Sequence, residues 1–275
     1  MKKILMLAQQ WMQEYIDSFR CDDEDVMFGI QLKALHTGYV RDNARALAKH
    51  LQLPEQEALL AELMGLLHDV GRFRQWQLYQ TFVDAKSEDH AELGIKTIAE
   101  LPFFAQIPKE AQEILLFAIQ NHNKKTIATH DNAKFILFAK IIRDADKLDI
   151  FRVLEPYLTD DNIIQKSATI QRFIKGPNGS ANFEDIISPD FLTCFVEGQQ
   201  VDYTQIRTNG DRKLVRLMWI YDVNFAWTLL RIRERGYIDK IIEHLPEEPQ
   251  VALGVRRLQE YVIKKCNTAD LPLNL

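Results

Sequence analysis

The sequence has no cysteine pattern. Its three cysteines, Cys21, Cys194 and Cys266, are scattered and odd in number, which excludes a disulfide frame or a zinc knuckle and suits a reducing compartment. Glycine (11) and proline (9) are few among 275 residues, 47% of which are apolar and 27% charged; that is the composition of a globular chain with material for a sizeable core. Basic charge is not in excess. Lys and Arg number 34 against 39 Asp and Glu, net −5, which argues against an extended nucleic-acid partner but leaves room for a local basic patch that holds a phosphate. No stretch approaches the roughly 20 apolar residues of a membrane span. The apolar start, Ile4 to Ala8, ends at Gln9-Gln10 with Glu14 and Asp17 beyond, too short for the core of a signal peptide. The expectation is a cytoplasmic protein with no membrane partner.

What is present is helical periodicity. Ile4, Leu7, Ala8, Trp11, Met12, Tyr15 and Phe19 recur three and four apart, the spacing of one face of an amphipathic helix. Asp22 or Asp23 can cap a second helix over about 24–51. Pro54-Glu55 opens a third over about 54–69, with Gly71 as its stop. Residues 71–87, with Phe73, Trp76, Tyr79 and Phe82, read as an irregular aromatic loop. Ser87 starts a helix that runs to about Glu100, Pro108-Lys109 opens one ending near His122, and Asp131 caps one over about 132–154. Residues 156–210 are mixed, with turn signals at Gly176-Pro177-Asn178-Gly179 and Asn209-Gly210 and room for a short strand or two. A long helix is predicted from Asp211 to Gly236 and a last one over about 250–265. The fold class is all-α. The chain is read as a single domain, 1–275, with a helical bundle core over about 24–155 and a mostly helical C-terminal extension over about 156–275 that packs on it.

Chemistry concentrates in Leu67-His68-Asp69-Val70-Gly71-Arg72. A histidine and an aspartate at the end of an apolar helix are expensive to bury unless a cation sits against them. Any one histidine is as readily a satisfied core residue. As a set, however, His36, His68, His90 and His122 fall on or at the end of four different helices, which is how bundles gather inward-facing metal ligands. The helix over about 132–154 adds a carboxylate. At about 100° per residue, Lys140, Arg143 and Lys147 form a polar stripe expected in solvent, with Asp144 beside it as an exposed or ion-paired residue, while Asp146 and Asp149 lie in the apolar arc. Helical geometry leaves the choice between those two open.

The order His36 … His68-Asp69 … Asp146 resembles the signature of the HD-domain superfamily of metal-dependent phosphohydrolases. The strings Leu67-His68-Asp69-Val70-Gly71-Arg72 and Arg143-Asp144-Ala145-Asp146-Lys147-Leu148-Asp149 are close to that family's wording, and the likeness covers about residues 30–150. The resemblance implies that Asp146 is the ligand, and that His90 and His122 are the further histidines that hold a second metal. Asn123 departs from members with adjacent histidines at that position.

The ligand set implied is therefore His36, His68, Asp69, His90, His122 and Asp146, for one or two divalent ions among Mn, Fe, Co, Ni, Zn and Mg. Asp69 is the candidate bridge. The implied function is hydrolysis of a phosphate ester in a nucleotide-like small molecule by a metal-bound hydroxide, with Asp69, Arg72 and Lys147 as catalytic candidates, Arg72 being the preferred phosphate contact. Trp76 or Tyr79 is a candidate platform for a base, although such aromatics more often pack a core or lid. Asp84 and Glu92 are candidate supports for the ligands. Arg207, Arg212, Lys213 and Arg216 are read first as a solvated helix start and second as a phosphate patch. His50, His130 and His244 are read as surface residues. A di-iron oxygenase and a non-catalytic nucleotide-sensing module are the alternatives, and assembly into a homo-oligomer is left open.

Overall fold

A computed structural model of the protein describes residues 1–160 and 186–270. The chain divides into two compact units, Met1–Asp149 and Ile150–Asp270. No strand occurs among the described residues, so the all-α expectation stands. The turn signal at Gly176-Pro177-Asn178-Gly179 lies outside the described residues.

The first unit holds α1 (Lys2–Asp17), α2 (Glu24–His50), α3 (Glu55–Leu67), α4 (Val70–Tyr79), α5 (His90–Ala99), α6 (Lys109–His122) and the first part of α7 (Ala133–Thr159). Asp23 caps α2 by accepting from the amides of Asp25 and Val26, satisfying donors that a helix start leaves bare. Asp89, not Ser87, caps α5 through the amides of Ala91 and Glu92. At the start of α7 the side chain of Asn132, next to the expected Asp131, accepts from the amide of Lys134. The core is packed by Leu47, Leu63, Leu67, Phe73, Leu115, Ala118, Phe138 and Ile142, all fully buried.

Two glycines set how closely helices approach. A Cβ at Gly65 would stand 2.7 Å from the Cα of Arg41, so α3 can lie against the backbone of α2 only because that position has no side chain. Gly71, expected to stop a helix, instead lies in the first turn of α4. Its Cβ would sit 2.3 Å from the carbonyl oxygen of His90 and 2.6 Å from the amide of Gly94. Close contact of α4 with α5 is what this glycine provides. The stretch after it is correspondingly helical as far as Tyr79, and only from Gln80 is it irregular as expected, with a 3-10 turn at Asp84–Lys86. Trp76 is 2% exposed, donates from Nε1 to the carbonyl of Val26 at 2.9 Å and stacks on Phe82, so it is core rather than a platform for a base.

The second unit holds the end of α7, then α8 (Pro189–Glu197), α9 (Asn209–Met218), α10 (Ala226–Glu234), α11 (Tyr237–Glu243) and α12 (Pro249–Cys266). The single helix expected from Asp211 to Gly236 is broken: α9 begins at Asn209, passes into a 3-10 turn at Trp219–Asp222 and leaves extended backbone at Val223 and Phe225 before α10. Asp211 is fully buried and explains the early start. One carboxylate accepts from the amides of Ser188, Arg207 and Thr208 and from the Ser188 hydroxyl, while Thr208 and Asp211 form a capping box. Arg212 and Lys213, expected in solvent, are 5% and 2% exposed, and Lys213 donates to the carbonyl of His244 at 2.7 Å.

Candidate metal centre

Five helices deliver six donors to one place. His36 lies in the middle of α2, His68 and Asp69 join α3 to α4, His90 begins α5, His122 ends α6 and Asp146 is on α7. As whole residues the four histidines are 6% exposed or less and Asp69 is 3%. The Oδ2 of Asp69 is 3.4 Å from Nε2 of His36 and 3.5 Å from Nε2 of His68. Its Oδ1 is 3.4 Å from Nε2 of His90 and 3.6 Å from Nε2 of His122. Each oxygen of one carboxylate therefore serves a different pair of histidines. Asp146 completes the first group, with Oδ1 3.1 Å from Nε2 of His36 and 3.7 Å from Nε2 of His68.

The outer nitrogens of the rings fix which atom faces inward. The Nδ1 of His68 points at the carbonyl of Gly65 (2.9 Å) and that of His122 at the carbonyl of Ile119 (2.6 Å). A carbonyl only accepts, so these Nδ1 atoms carry the hydrogen and the Nε2 atoms present lone pairs. The Nδ1 of His36 faces Asp149 at 2.7 Å, and that of His90 faces Asp84 at 2.7 Å, with the same consequence. Yet Nε2 of His90 and Nε2 of His122 are 2.9 Å apart, and those of His36 and His68 are 3.3 Å apart. Lone pairs face to face, beside carboxylates and out of water, are favourable only with a proton or a cation among them. The groups His36, His68, Asp69 and Asp69, His90, His122 each bring three such atoms within 4.8 Å of one another. The donors fit one or two divalent ions of the kind that imidazole and carboxylate share.

The ionisation of the side chains follows from the same crowding. Burial alone would push the Asp69 carboxyl up, but the charges of Lys33 and His68 and hydrogen bonds with His122 and His36 outweigh it and hold it well below the usual carboxylate range. Asp146 behaves alike: burial opposes ionisation, and His36 and His68 overcome it. Burial and Lys33 also push the His36 imidazole down, but Asp146, Asp149 and Asp69 lift it to about 10, so a proton and a metal ion compete for its Nε2. His90 goes the other way: burial, then the charge of Arg72, lower it to about 3 despite Asp84.

Around the donors stands a frame. The Nη1 of Arg72 donates to Gln75, to the carbonyl of Phe82 and to Asp84, at 2.7–2.8 Å, and its Nε is 3.6 Å from Oδ1 of Asp69. Gln75, fully buried, donates to Asp84, Ser87 and the carbonyl of Glu88. Asn123 donates to Asp84 and Asp89. Asp84 is thereby fixed against His90. Asp84, Asp89 and His90 form a third acidic group, but Arg72 and Lys124 already neutralise it.

Several sequence expectations change here. Arg143, expected in solvent, is 5% exposed and donates to the carbonyls of Asn121, His122 and Lys124; it closes the C-terminus of α6 and so anchors His122. Lys147 is 8% exposed and Asp144 fully buried, so of the stripe expected in solvent only Lys140 is not buried. Glu92 is exposed and supports no ligand, whereas Asp84 does. Exposed as expected are His50, His130 and His244, and Tyr79 is 42% exposed. The residue that sequence reasoning passes over is Lys33, whose Nζ donates to Oδ2 of Asp69 at 2.7 Å. Its place one turn before His36 is the available signal.

No helix among the described residues is long and apolar enough to cross a membrane. No curated protein and no solved structure matches the chain. The family model of the HD domain matches residues 34–150, a span that contains every donor of the cage. Residues 34–150 thus form an HD domain, the module of a superfamily of metal-dependent phosphohydrolases.

Proposed function

We propose that the protein is a hydrolase that cleaves a phosphate ester, in a small nucleotide-like molecule, at a centre made by His36, His68, Asp69, His90, His122 and Asp146. The observation that carries this reading is the division of Asp69, one oxygen toward His36 and His68 and the other toward His90 and His122. A carboxylate so placed is common to both donor groups and would help to hold a cation in either. Bound there, metal ions supply Lewis acidity toward a phosphoryl oxygen and a water of lowered pKa. The chain's own part is to hold the donors rigid. Asp149, Asp84 and the carbonyls of Gly65 and Ile119 fix all four rings, and second contacts of this kind set ring orientation and ligand basicity. Arg72 braces Asp84 and lies beside Asp69, and Lys147 adjoins Asp146 in sequence.

The test is metal analysis of protein prepared without oxygen, followed by a screen of phosphomonoesters and phosphodiesters with Mn, Co, Ni or Mg added. Ester cleavage, read as phosphate freed from a monoester or as alcohol and monoester freed from a diester, that is lost in His68→Ala supports the reading. No cleavage of either class with any metal removes it. The same donors suit iron, so turnover that needs oxygen, with iron bound, would replace hydrolysis by an oxygenase reaction.

A further inference from the structure

We infer that Lys33 is the cation that receives the phosphoryl group of the substrate at this centre, an assignment that rests on the phosphohydrolase reading above. Lys33 and His36 are one turn apart on α2 and share a face. The Lys33 ammonium touches Oδ2 of Asp69 at 2.7 Å, the oxygen directed at His36 and His68. The same ammonium lies over the Phe82 ring, 5.2 Å from its centroid, an apolar surface that strengthens a charge beside it.

Three features separate Lys33 from a simple counter-ion. Its side chain is 14% exposed, whereas the ligand imidazoles are 2% or less and Asp69 4%, so it stands at the reachable margin of the cage together with Asp146 at 15%. An ammonium has three N–H donors; one goes to Asp69, and a ring face takes up no second one in an ordinary hydrogen bond. The neighbouring cations are tied down: Arg72 by Gln75, the Phe82 carbonyl and Asp84, Lys124 by Asp89, and Arg143 by the last carbonyls of α6. The need is electrostatic. Asp69 and Asp146 line the centre, and Asp84 and Asp149 stand behind it. Beside whatever charge bound metal ions would add among these carboxylates, Lys33 supplies a fixed positive charge at the exposed margin that an anionic ester would cross.

The experiment uses the 275-residue chain loaded with Mn, with inorganic phosphate as the probe, measured by calorimetry and as an inhibitor of ester turnover. Mn affinity is measured in parallel. Lys33→Met is expected to weaken phosphate binding about tenfold or more, the loss of one charge-assisted hydrogen bond. Mn affinity should be unchanged or higher, because a competing cation has left Asp69. Lys33→Arg should recover most of the phosphate affinity. If Lys33→Met does not fold by circular dichroism, Lys33→Gln takes its place. Phosphate binding that is unchanged, or that falls only in step with lost Mn, overturns the assignment. The two readings fail separately. Esters hydrolysed with phosphate binding indifferent to Lys33 would sink this inference alone. Phosphate binding that depends on Lys33, with no ester ever hydrolysed, would sink the hydrolase reading alone.

Discussion

Asp149 holds the outer nitrogen of His36, Oδ2 to Nδ1 at 2.7 Å. Asp146, one turn earlier on α7, faces the inner nitrogen of the same ring at 3.1 Å. Two carboxylates three residues apart thus grip one imidazole from opposite edges, one as a donor to the centre and one as the partner that fixes the tautomer.

The two aspartates should therefore differ on substitution. Asp146→Ala removes a ligand and is expected to abolish metal binding by its group. Asp149→Asn keeps the donor set but loosens the ring, with a loss of metal affinity of about 10–100-fold. Calorimetric titration with Mn measures both. The reverse order of severity would show the roles to be exchanged.

Asp69 is the shared member of both groups, so Asp69→Asn should reduce the metal content of the whole centre rather than half of it. Elemental analysis of wild type and variant decides this. A wild type that never exceeds one ion per chain contradicts a two-metal centre.

Metal removal should lower stability by mass action. A ligand that binds only the folded chain at a concentration one hundred times its Kd adds about 2.7 kcal/mol. Chelation is expected to lower Tm, and returning Mn to restore it. His122→Ala should shrink that difference, since it takes a donor from one group.

Gly71→Ala places a methyl where the His90 carbonyl oxygen is 2.3 Å away. Backbone cannot yield as a flexible side chain does, so α4 and α5 must separate. The expected cost is about 3 kcal/mol or more by denaturant titration, with weaker metal binding because His90 moves with α5. A variant of wild-type stability would show that α4 and α5 can part at little cost.

Arg143→Met should leave the last carbonyls of α6 without their donor. A destabilisation of roughly 2–4 kcal/mol is expected, again with loss at the metal centre through His122. Thermal unfolding and Mn titration, run together, check whether fold and centre are coupled there.

Local signals carry the helices of the first unit well because each is announced in its own sequence: Asp23 before α2, Pro54 before α3, Pro108 before α6, and apolar spacing throughout. Those signals fail where tertiary contacts override them. Residues 73–79 read as part of a loop because Gly71 looks like a stop, yet the absence of a side chain there is used to pack α4 on α5. A continuous apolar pattern after Asp211 reads as one long helix, but the chain turns at Trp219–Asp222. Helical phase alone puts Arg143 and Lys147 in solvent, because it counts charge as surface and cannot see that α6 ends against the face that carries Arg143.

The sequence by itself determined the all-α class and nominated His36, His68, Asp69, His90 and His122, because helix periodicity and residue type are local properties of the chain; it left Asp146 and Asp149 as equal candidates, and only the resemblance to the HD family pointed to Asp146. Only the tertiary structure decided that the two oxygens of Asp69 look toward different histidine pairs, that Asp149 stands behind His36, and that Lys33 reaches Asp69. Those facts depend on the mutual approach of five helices. That approach is set by packing between residues far apart in sequence, for which no local pattern gives a distance.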